Sequence, residues 1–403
     1  MKKKRRRTTV KLEKLLECVE ESDLIKTVGD LIRIPSHMKV EGEERQLSGF
    51  VREMLEKLGL DVEVQEVAYG RCNVIAKIEG NGRGRSLAFN GHLDTVPPGE
   101  GMKDPYSPVV ENGRLHGRGA CDMKGAVGTM IYALSLIKRS RLPLNGDLYL
   151  TAVVGEETGG DGTRHLVEQG FRTDAALVGE PTDLTLVTSH KGICNIVVSV
   201  SGRPCHGSMP DHGSNAIVAV SDFIQKVKED LIPELSKRTQ EYVGCATLNF
   251  GVINGGTQVN IVADRCTLEV DRRWVIGESM QTAAREIESL LNEVCGRDPG
   301  LQGEVRVLLP EGAYYGPLSM PEDHEIVRLV KDALARVGKK TEVAGMQGWT
   351  DAATLYHSGI PTVLLGPGSI AQAHTNDEWV EVSQLIDAAR CYIAIAAAVC
   401  GAA

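Results

Sequence analysis

The feature that most constrains the fold is a series of short apolar runs, bounded by turn residues, that alternate with longer segments of helical periodicity. Runs rich in β-formers predict strands, and those without polar alternation are typical of strands covered on both faces. Such strands are predicted at residues 73–78, 86–90, 147–154, 175–178 and 362–365. Helical segments are predicted at residues 48–58, 125–139, 162–169 and 326–337. The outer parts of the chain are therefore predicted to form an α/β fold in which helices cover a sheet.

The chain changes character from about residue 193. Strands are predicted at residues 193–201, 247–253, 264–271 and 305–309, with one helix after Asn215 and another at 279–294. The resulting order, β-α-β-β-α-β, is ferredoxin-like. A chain of 403 residues exceeds the size at which one hydrophobic core stops growing. We therefore expect a basic tail (1–9), a catalytic domain (10–192 and 312–403) and a second domain (193–311) inserted into it.

Charge and cysteine usage narrow the possible partners and the compartment. Residues 2–7 read KKKRRR, but no apolar signal-peptide segment follows, and the net charge of −9 is opposite to that of a nucleic-acid-binding domain. No apolar run approaches the roughly 20 residues that a membrane span needs. The 10 cysteines are scattered without a C-x-x-C pair, as in a reducing compartment. We expect a cytoplasmic protein with a solvated tail that binds neither nucleic acid nor membrane.

Polar residues cluster just after the predicted strands, where open α/β sheets place their ligand sites. The first cluster is the heptapeptide GHLDTVP at residues 91–97. In an extended segment, side chains two residues apart point the same way, so Asp94 can orient the ring of His92, as outer-shell groups orient metal-bound histidines. Taken alone this motif is weak, because a hydrogen-bonded structural histidine would explain it as well.

Carboxylates follow the other strands. Asp122 lies in a glycine-flanked turn before a predicted helix, where helix capping is an alternative explanation. Glu156 and Glu157 directly follow the strand at 147–154, and Glu180 follows the strand at 175–178. His374 comes shortly after the strand at 362–365. Imidazole and carboxylate ligands suit zinc, cobalt or manganese, and two such ions can share one bridging carboxylate.

The motifs GHLDTVP, GRGACDMKG, GEE and GEPT, in this order, resemble those of the metallopeptidase family that includes acetylornithine deacetylase, succinyl-diaminopimelate desuccinylase, aminoacylase and the glutamate-releasing carboxypeptidases. The resemblance covers essentially the whole chain after the basic tail. It implies a zinc-peptidase-like catalytic domain with two divalent metal ions per subunit, zinc first and cobalt as the alternative. His92 and Glu180 would bind one ion, Glu157 and His374 would bind the other, and Asp122 would bridge them.

The resemblance also implies roles for residues that bind no metal. Glu156 would be the general base that takes a proton from the attacking water and returns it to the leaving amine. Asp94 would orient His92. The inserted domain would be a lid that carries the contacts of a homodimer, and its His206 would stabilise the oxyanion, sometimes in the site of the partner subunit.

Two further positions of the inserted domain match substrate-binding positions of the family. Asn260 is one, and Arg273 would grip a substrate carboxylate through two hydrogen bonds. Arg272 is the alternative, because neighbouring residues of a strand face opposite ways, and an ion pair with Asp271 would explain whichever arginine faces away. In the catalytic domain, the segment GWTD at 348–351 either shapes the substrate pocket or caps a helix.

The reaction is narrowed by Glu180. In this family, carbamoyl-cleaving relatives carry histidine at that position and aminopeptidase relatives more often carry aspartate, so glutamate favours deacylases and carboxypeptidases. We predict hydrolysis of the amide bond in a small N-acyl amino acid, with release of an amino acid by a carboxypeptidase or dipeptidase as the alternative. A non-catalytic relative would have lost ligands, whereas all five ligand positions and Glu156 are present.

Overall fold

The computed structural model describes residues 11–308 and 315–402. The described residues divide into two units: the first holds those up to Thr188, then Met320–Ala344 and those from Thr350 onward, and the second holds Ser189–Ser319 and Gly345–Trp349. The boundary expected after residue 192 thus lies four residues earlier, at 188/189. The basic tail and the expected boundary at 311/312 lie outside the described residues.

The first unit is built on a mixed sheet. Its strands lie in the order Asp61–Ala68, Arg71–Ile78, Leu148–Val153, Leu87–His92, Ala175–Val178, Thr362–Leu364 and Leu186–His190, the last of which continues into the second unit. The four strands from Leu148–Val153 to Thr362–Leu364 are parallel to one another. Every residue of Leu87–His92 and of Ala175–Val178 is buried, as expected for strands without polar alternation. The prediction of an α/β fold is confirmed.

Two groups of helices contact this sheet. One group consists of Glu21–Ile32, Lys124–Ser140, Glu325–Arg336 and Val382–Val399, and the other of Arg45–Lys57, Asp161–Glu168 and Ala352–His357. The helix Lys124–Ser140 is buried over its first fourteen residues, from Lys124 to Ile137. It therefore forms part of the core, and it holds the adjoining Asp122 loop against the sheet.

The helix Val382–Val399 is the one helix among the described residues that is long and apolar enough to cross a membrane. Its sequence includes Asp387 and Arg390, and 67% of it is buried inside the fold. It packs against Lys124–Ser140 and Glu325–Arg336. These contacts are those of a core helix. A small sheet of Val109–Glu111, Arg114–His116 and Trp379–Glu381 lies at its amino end.

The second unit has a four-stranded antiparallel sheet in the order Thr247–Gly255, Arg265–Trp274, Gly192–Ser201 and Gln302–Leu308. The helices Ala216–Lys226 and Met280–Cys295 pack on it and on each other. The order of these elements is the β-α-β-β-α-β order expected from the sequence. A π-helical turn (Val227–Leu231), a short helix (Ile232–Leu235) and a hairpin (Thr239–Gln240 with Gly244–Cys245) link the first helix to the sheet.

Alternation explains how this sheet buries one face. In the central strand Gly192–Ser201, Cys194, Ile196, Val198 and Val200 lie in the hydrophobic core, while the residues between them are more exposed. That is the period of two expected for a strand with one covered face.

Candidate active site

Neighbouring parallel strands deliver most of the site residues to one edge of the sheet in the first unit. His92 is the last residue of Leu87–His92, the turn Glu156–Thr158 follows Leu148–Val153, and Glu180 follows Ala175–Val178. Because these strands are parallel and adjacent, their carboxyl ends meet at the same edge. His92 and Glu180, which are almost ninety residues apart in the sequence, therefore lie at the same end of the sheet.

Asp122 lies at the centre of this group. Its Oδ1 is 3.1 Å from His92 Nε2, and its Oδ2 is 3.3 Å from His374 Nε2. On the outer sides, Glu180 Oε1 is 4.0 Å from His92 Nε2, and Glu157 Oε2 is 3.2 Å from His374 Nε2. All five ligand positions therefore converge, with one oxygen of Asp122 facing each histidine.

The donor set fits divalent cations. Ligand atoms of His92, Asp122 and Glu157 lie within 4.8 Å of one another. Glu180 Oε1 is buried and has no hydrogen-bond partner among the described residues. A buried carboxylate oxygen without a partner is costly, and a bound cation would supply the missing interaction. Imidazole nitrogens and carboxylate oxygens are also the ligands that zinc prefers.

The pKa values reflect crowding of acids in a buried place. Burial, reinforced by the charge of Asp122, raises the pKa of Glu180 well above its ordinary value. Burial and the charge of Glu180 do the same to the pKa of Glu156. Asp122 is the exception: burial opposes its ionisation, but hydrogen bonds from His374 and His92 lower its pKa. Hydrogen bonds to Asp122 and Glu157 raise the pKa of His374 to about 10.

Asp94 makes different contacts from those expected. His92 Nδ1 lies 2.9 Å from the backbone oxygen of Asp94 and 3.6 Å from its carboxylate, so the carbonyl is the closer partner. The carboxylate instead accepts hydrogen bonds from the backbone N–H groups of Glu156 (3.2 Å) and Glu157 (2.9 Å). Asp94 therefore holds the turn that carries both glutamates, a contact that sequence reasoning missed.

A second carboxylate fixes the start of the same turn. Gly155 has a φ of 75°, in the left-handed region that favours glycine. Its N–H donates to Glu44 Oε1 at 3.0 Å. Glu44 is in turn held by two hydrogen bonds from Arg71, at 2.6 and 2.8 Å. The turn is thus anchored from both ends by carboxylates outside the proposed ligand set.

Of the two roles predicted for the segment at 348–351, the structure shows the helix cap. Thr350 Oγ1 accepts a hydrogen bond from the N–H of Ala352 at 3.2 Å, as a helix cap does. Asp351 makes no capping bond; its Oδ2 accepts from Thr163 Oγ1 at 2.7 Å, while its Oδ1 is buried without a hydrogen-bond partner. Burial raises the pKa of Asp351 to about 6, and its charge adds to the rise at Glu156 and Glu180.

His206 and Asn260 both lie in the second unit. Both are exposed, and their loops pair: the N–H of Gly207 donates to the backbone oxygen of Asn260 at 2.8 Å. His206 Nδ1 lies 2.7 Å from Ser208 Oγ. The second unit thus presents a histidine and an amide from adjacent loops, and their catalytic and substrate-binding roles stay predictions.

The two adjacent arginines of the second unit differ in burial. Arg272 is fully buried and pairs with Glu278, so it is not available to grip a substrate. Arg273 is partly exposed, and its guanidinium holds Asp271 through two hydrogen bonds of 2.8 and 2.9 Å. Of the two candidates for a substrate carboxylate, only Arg273 is accessible. It would have to exchange its contact with Asp271 for the substrate.

The chain is similar to known proteins over most of its length. A family model described as peptidase family M20/M25/M40 matches residues 88–398. An acetylornithine deacetylase of Proteus mirabilis (strain HI4320) is 32% identical over 352 residues, which cover 86% of this chain and 87% of that relative.

Two solved structures resemble the fold. A tripeptidase from Staphylococcus aureus subsp. aureus Mu50 matches with a TM-score of 0.81 and 24% identity, over 94% of this chain and 99% of the other. A dinuclear metal-binding peptidase of the M20 family from Bacillus subtilis matches with a TM-score of 0.72 and 18% identity, over 95% of this chain and 98% of the other.

Proposed function

We propose, on the premise that the chain belongs to peptidase family M20/M25/M40, that it hydrolyses the amide bond of a small N-acyl amino acid. Family membership makes the protein a metal-dependent amidohydrolase or peptidase. The observation that carries the proposed chemistry is the position of Asp122, with each carboxylate oxygen facing a different histidine. Support for a deacylase comes from Glu180 and from the 32% identity to an acetylornithine deacetylase.

In this proposal the site holds two divalent metal ions, with zinc first and cobalt as the alternative. His92 and Glu180 would hold one ion, Glu157 and His374 would hold the other, and Asp122 would be shared by both. The unpartnered oxygen of Glu180 supports the assignment. Bound ions of this kind polarise the amide carbonyl and lower the pKa of water.

Glu156 is the proposed general base. It shares the turn of Glu157 but belongs to none of the contacts around Asp122, which leaves its carboxylate for the reaction. Because Asp94 and Glu44 hold the backbone of this turn, the side chain starts from a fixed position. It takes a proton from the attacking water and delivers it to the leaving amine.

The second unit is the proposed source of substrate and dimer contacts. His206 would stabilise the oxyanion, and Asn260 and Arg273 would bind the substrate. A homodimer through this unit is supported by the edge strand Thr247–Gly255, where Val252 and Ile253 are each about half exposed. An exposed edge strand with apolar side chains is a surface that another copy can cover.

The 10 cysteines are all free, which supports a cytoplasmic location.

The test is a hydrolysis panel on metal-loaded enzyme: N-acetylornithine, N-succinyl-diaminopimelate, other N-acyl amino acids, and dipeptides. We expect the highest kcat/KM on an N-acyl amino acid, with Glu156→Gln as the inactive control. Activity confined to dipeptides with free amino termini would replace the deacylase by the peptidase alternative. No hydrolysis of any compound, despite bound metal, would count against both.

A further inference from the structure

A fully buried carboxylate lies behind the loop that presents Asp122. Glu378 is 1% exposed, and its side chain accepts hydrogen bonds from three successive parts of that loop: the N–H groups of Gly119 (2.9 Å), Cys121 (2.9 Å) and Asp122 itself (3.0 Å). The guanidinium of Arg118, also buried, donates to it at 2.6 Å. One side chain therefore accepts hydrogen bonds from three backbone donors of the loop.

The same pair ties this loop to the one that carries His374. Arg118 Nη2 donates to the backbone oxygen of Thr375 at 3.1 Å, next to His374. A second bond joins the backbones of the two loops, because the N–H of Gly117 donates to the backbone oxygen of Glu378 at 3.1 Å. Asp122 and His374, whose side chains are 3.3 Å apart, are thus connected a second time through the backbone beneath them.

These bonds matter because loops have little other means of holding a fixed shape. Hydrogen bonds to an ionised acceptor are about twice as strong as neutral ones. Breaking a buried ion pair by removing one charge is strongly destabilising, since the other charge is left uncompensated. A metal site binds its ion more tightly when its ligands are already held in place, so rigidity in this loop acts directly on metal binding.

We propose that Glu378 is a positioning residue that sets the metal affinity of the site by fixing the Asp122 loop to the His374 loop. The inference rests on the proposed function, in which Asp122 and His374 are metal ligands. Glu378 contacts neither metal nor substrate in this proposal; it acts through the backbone of Asp122 and, by way of Arg118, through the segment next to His374.

The chain offers a matched control in Glu278 of the second unit. Like Glu378, it binds a fully buried arginine, Arg272, and it accepts a backbone N–H, that of Val275, at 2.9 Å. Its bonds hold a turn that carries no proposed ligand. Replacing either glutamate by glutamine removes one charge from a buried pair and keeps the size of the side chain.

The experiment measures the affinity of the metal-free, full-length protein for Zn²⁺ by competition with a chromophoric chelator. Wild type is compared with Glu378→Gln, Glu278→Gln and His374→Ala, and the Tm of each metal-free form is recorded. We expect Glu378→Gln to bind zinc about 10- to 100-fold more weakly, the range typical of outer-shell substitutions. Glu278→Gln should lose Tm to a similar degree and keep the zinc affinity of wild type.

The outcomes distinguish a failure of the positioning role of Glu378 from a failure of the ligand assignment. Wild-type zinc affinity in folded Glu378→Gln, or an equal loss in both glutamine variants, overturns the positioning role. Unchanged affinity in His374→Ala instead overturns the ligand assignment itself. If Glu378→Gln does not fold, Arg118→Lys takes its place, because lysine keeps the charge and loses the fork that reaches Thr375. Weaker zinc binding by Arg118→Lys supports the proposal, and unchanged binding overturns it.

Discussion

Buried acids are treated in opposite ways in the two units. In the second unit, Glu278 is surrounded by donors: it pairs with Arg272 and, at 2.8 Å, with Arg238. In the first unit, Glu180 is more deeply buried and lies in a group of acids around Asp122, and its Oε1 has no hydrogen-bond partner among the described residues. In the second unit, arginines of the chain neutralise the acid. In the first unit, the carboxylates around Asp122 are left to be neutralised by a group that is not part of the chain.

This difference indicates where the chain has given up stability for function. A neutralised acid holds two segments together and has nothing left to offer a ligand. Acids forced together without such partners acquire raised pKa values, as Glu156 and Glu180 do through burial and mutual repulsion. Groups of this kind are concentrated at functional sites, and imidazole and carboxylate side chains are ligand types that a divalent metal ion takes.

Glu378 is neutralised by an arginine, like Glu278, but it lies beside the acids around Asp122, like Glu180. It is paired with Arg118 as Glu278 is with Arg272, yet the loop it holds carries a proposed ligand. An ion pair of a buried arginine with a glutamate can therefore support the fold alone or the fold and a site. The distinction lies in the other bonds that the carboxylate makes.

Among substitutions that would distinguish the acids around Asp122 from the paired Glu278, the largest effect is expected from Glu156→Gln. Glutamine keeps the shape but cannot take a proton, and general acid–base catalysis contributes about 10²- to 10⁴-fold, so kcat should fall by that factor. Steady-state hydrolysis of an N-acyl amino acid measures the change, and metal content should stay at the wild-type level. Glu168→Gln, on the exposed side of the next helix, is the control. Unchanged kcat with metals bound would remove Glu156 from the mechanism.

A change in the second unit should act on stability instead. Arg272→Met removes the nearest cation of Glu278 and leaves it with Arg238, so the free energy of unfolding should fall by about 1–3 kcal/mol, the cost of an unsatisfied buried hydrogen-bonding group. Urea denaturation monitored by circular dichroism measures this loss. The zinc stoichiometry of the folded variant should not change. A loss of bound zinc at unchanged stability would show that the pair serves the site after all.

The neighbouring arginine should show the smallest effect on stability. The pair of Arg273 with Asp271 is partly exposed, so Arg273→Met should change the free energy of unfolding by less than about 1 kcal/mol. If Arg273 binds the substrate carboxylate, KM should rise about 10- to 100-fold, the equivalent of a charged hydrogen bond. Steady-state kinetics and urea denaturation of the same preparation test both points. A stable variant with wild-type KM would reduce Arg273 to its ion pair.

Sequence reasoning recovered the buried strands and the residues that converge around Asp122, because both have local signatures. The strand observed at Leu87–His92 corresponds to the one predicted at residues 86–90, and His92 is a candidate from its place just after that predicted strand. The exposed edge strand Asp61–Ala68 was not predicted, since it contains three acids and acquires its conformation by pairing with Arg71–Ile78.

The supporting residues could not be found in the same way. Glu378 lies 256 residues from Asp122 in the sequence, and Glu44 lies 111 residues from Gly155, so no spacing rule connects them. The contacts of Asp94 depend on its side-chain conformation, which decides whether the carboxylate meets His92 or the turn of Glu156. Only the folded chain determines such choices.

The most direct test of the acid cluster as a metal site is the metal content of wild type and Asp122→Asn after dialysis against zinc, measured by elemental analysis. The account predicts two zinc ions per chain in wild type and a loss of bound zinc in Asp122→Asn, because each proposed ion uses one oxygen of Asp122. A wild-type protein without bound zinc, or an Asp122→Asn variant with the full complement, would contradict it.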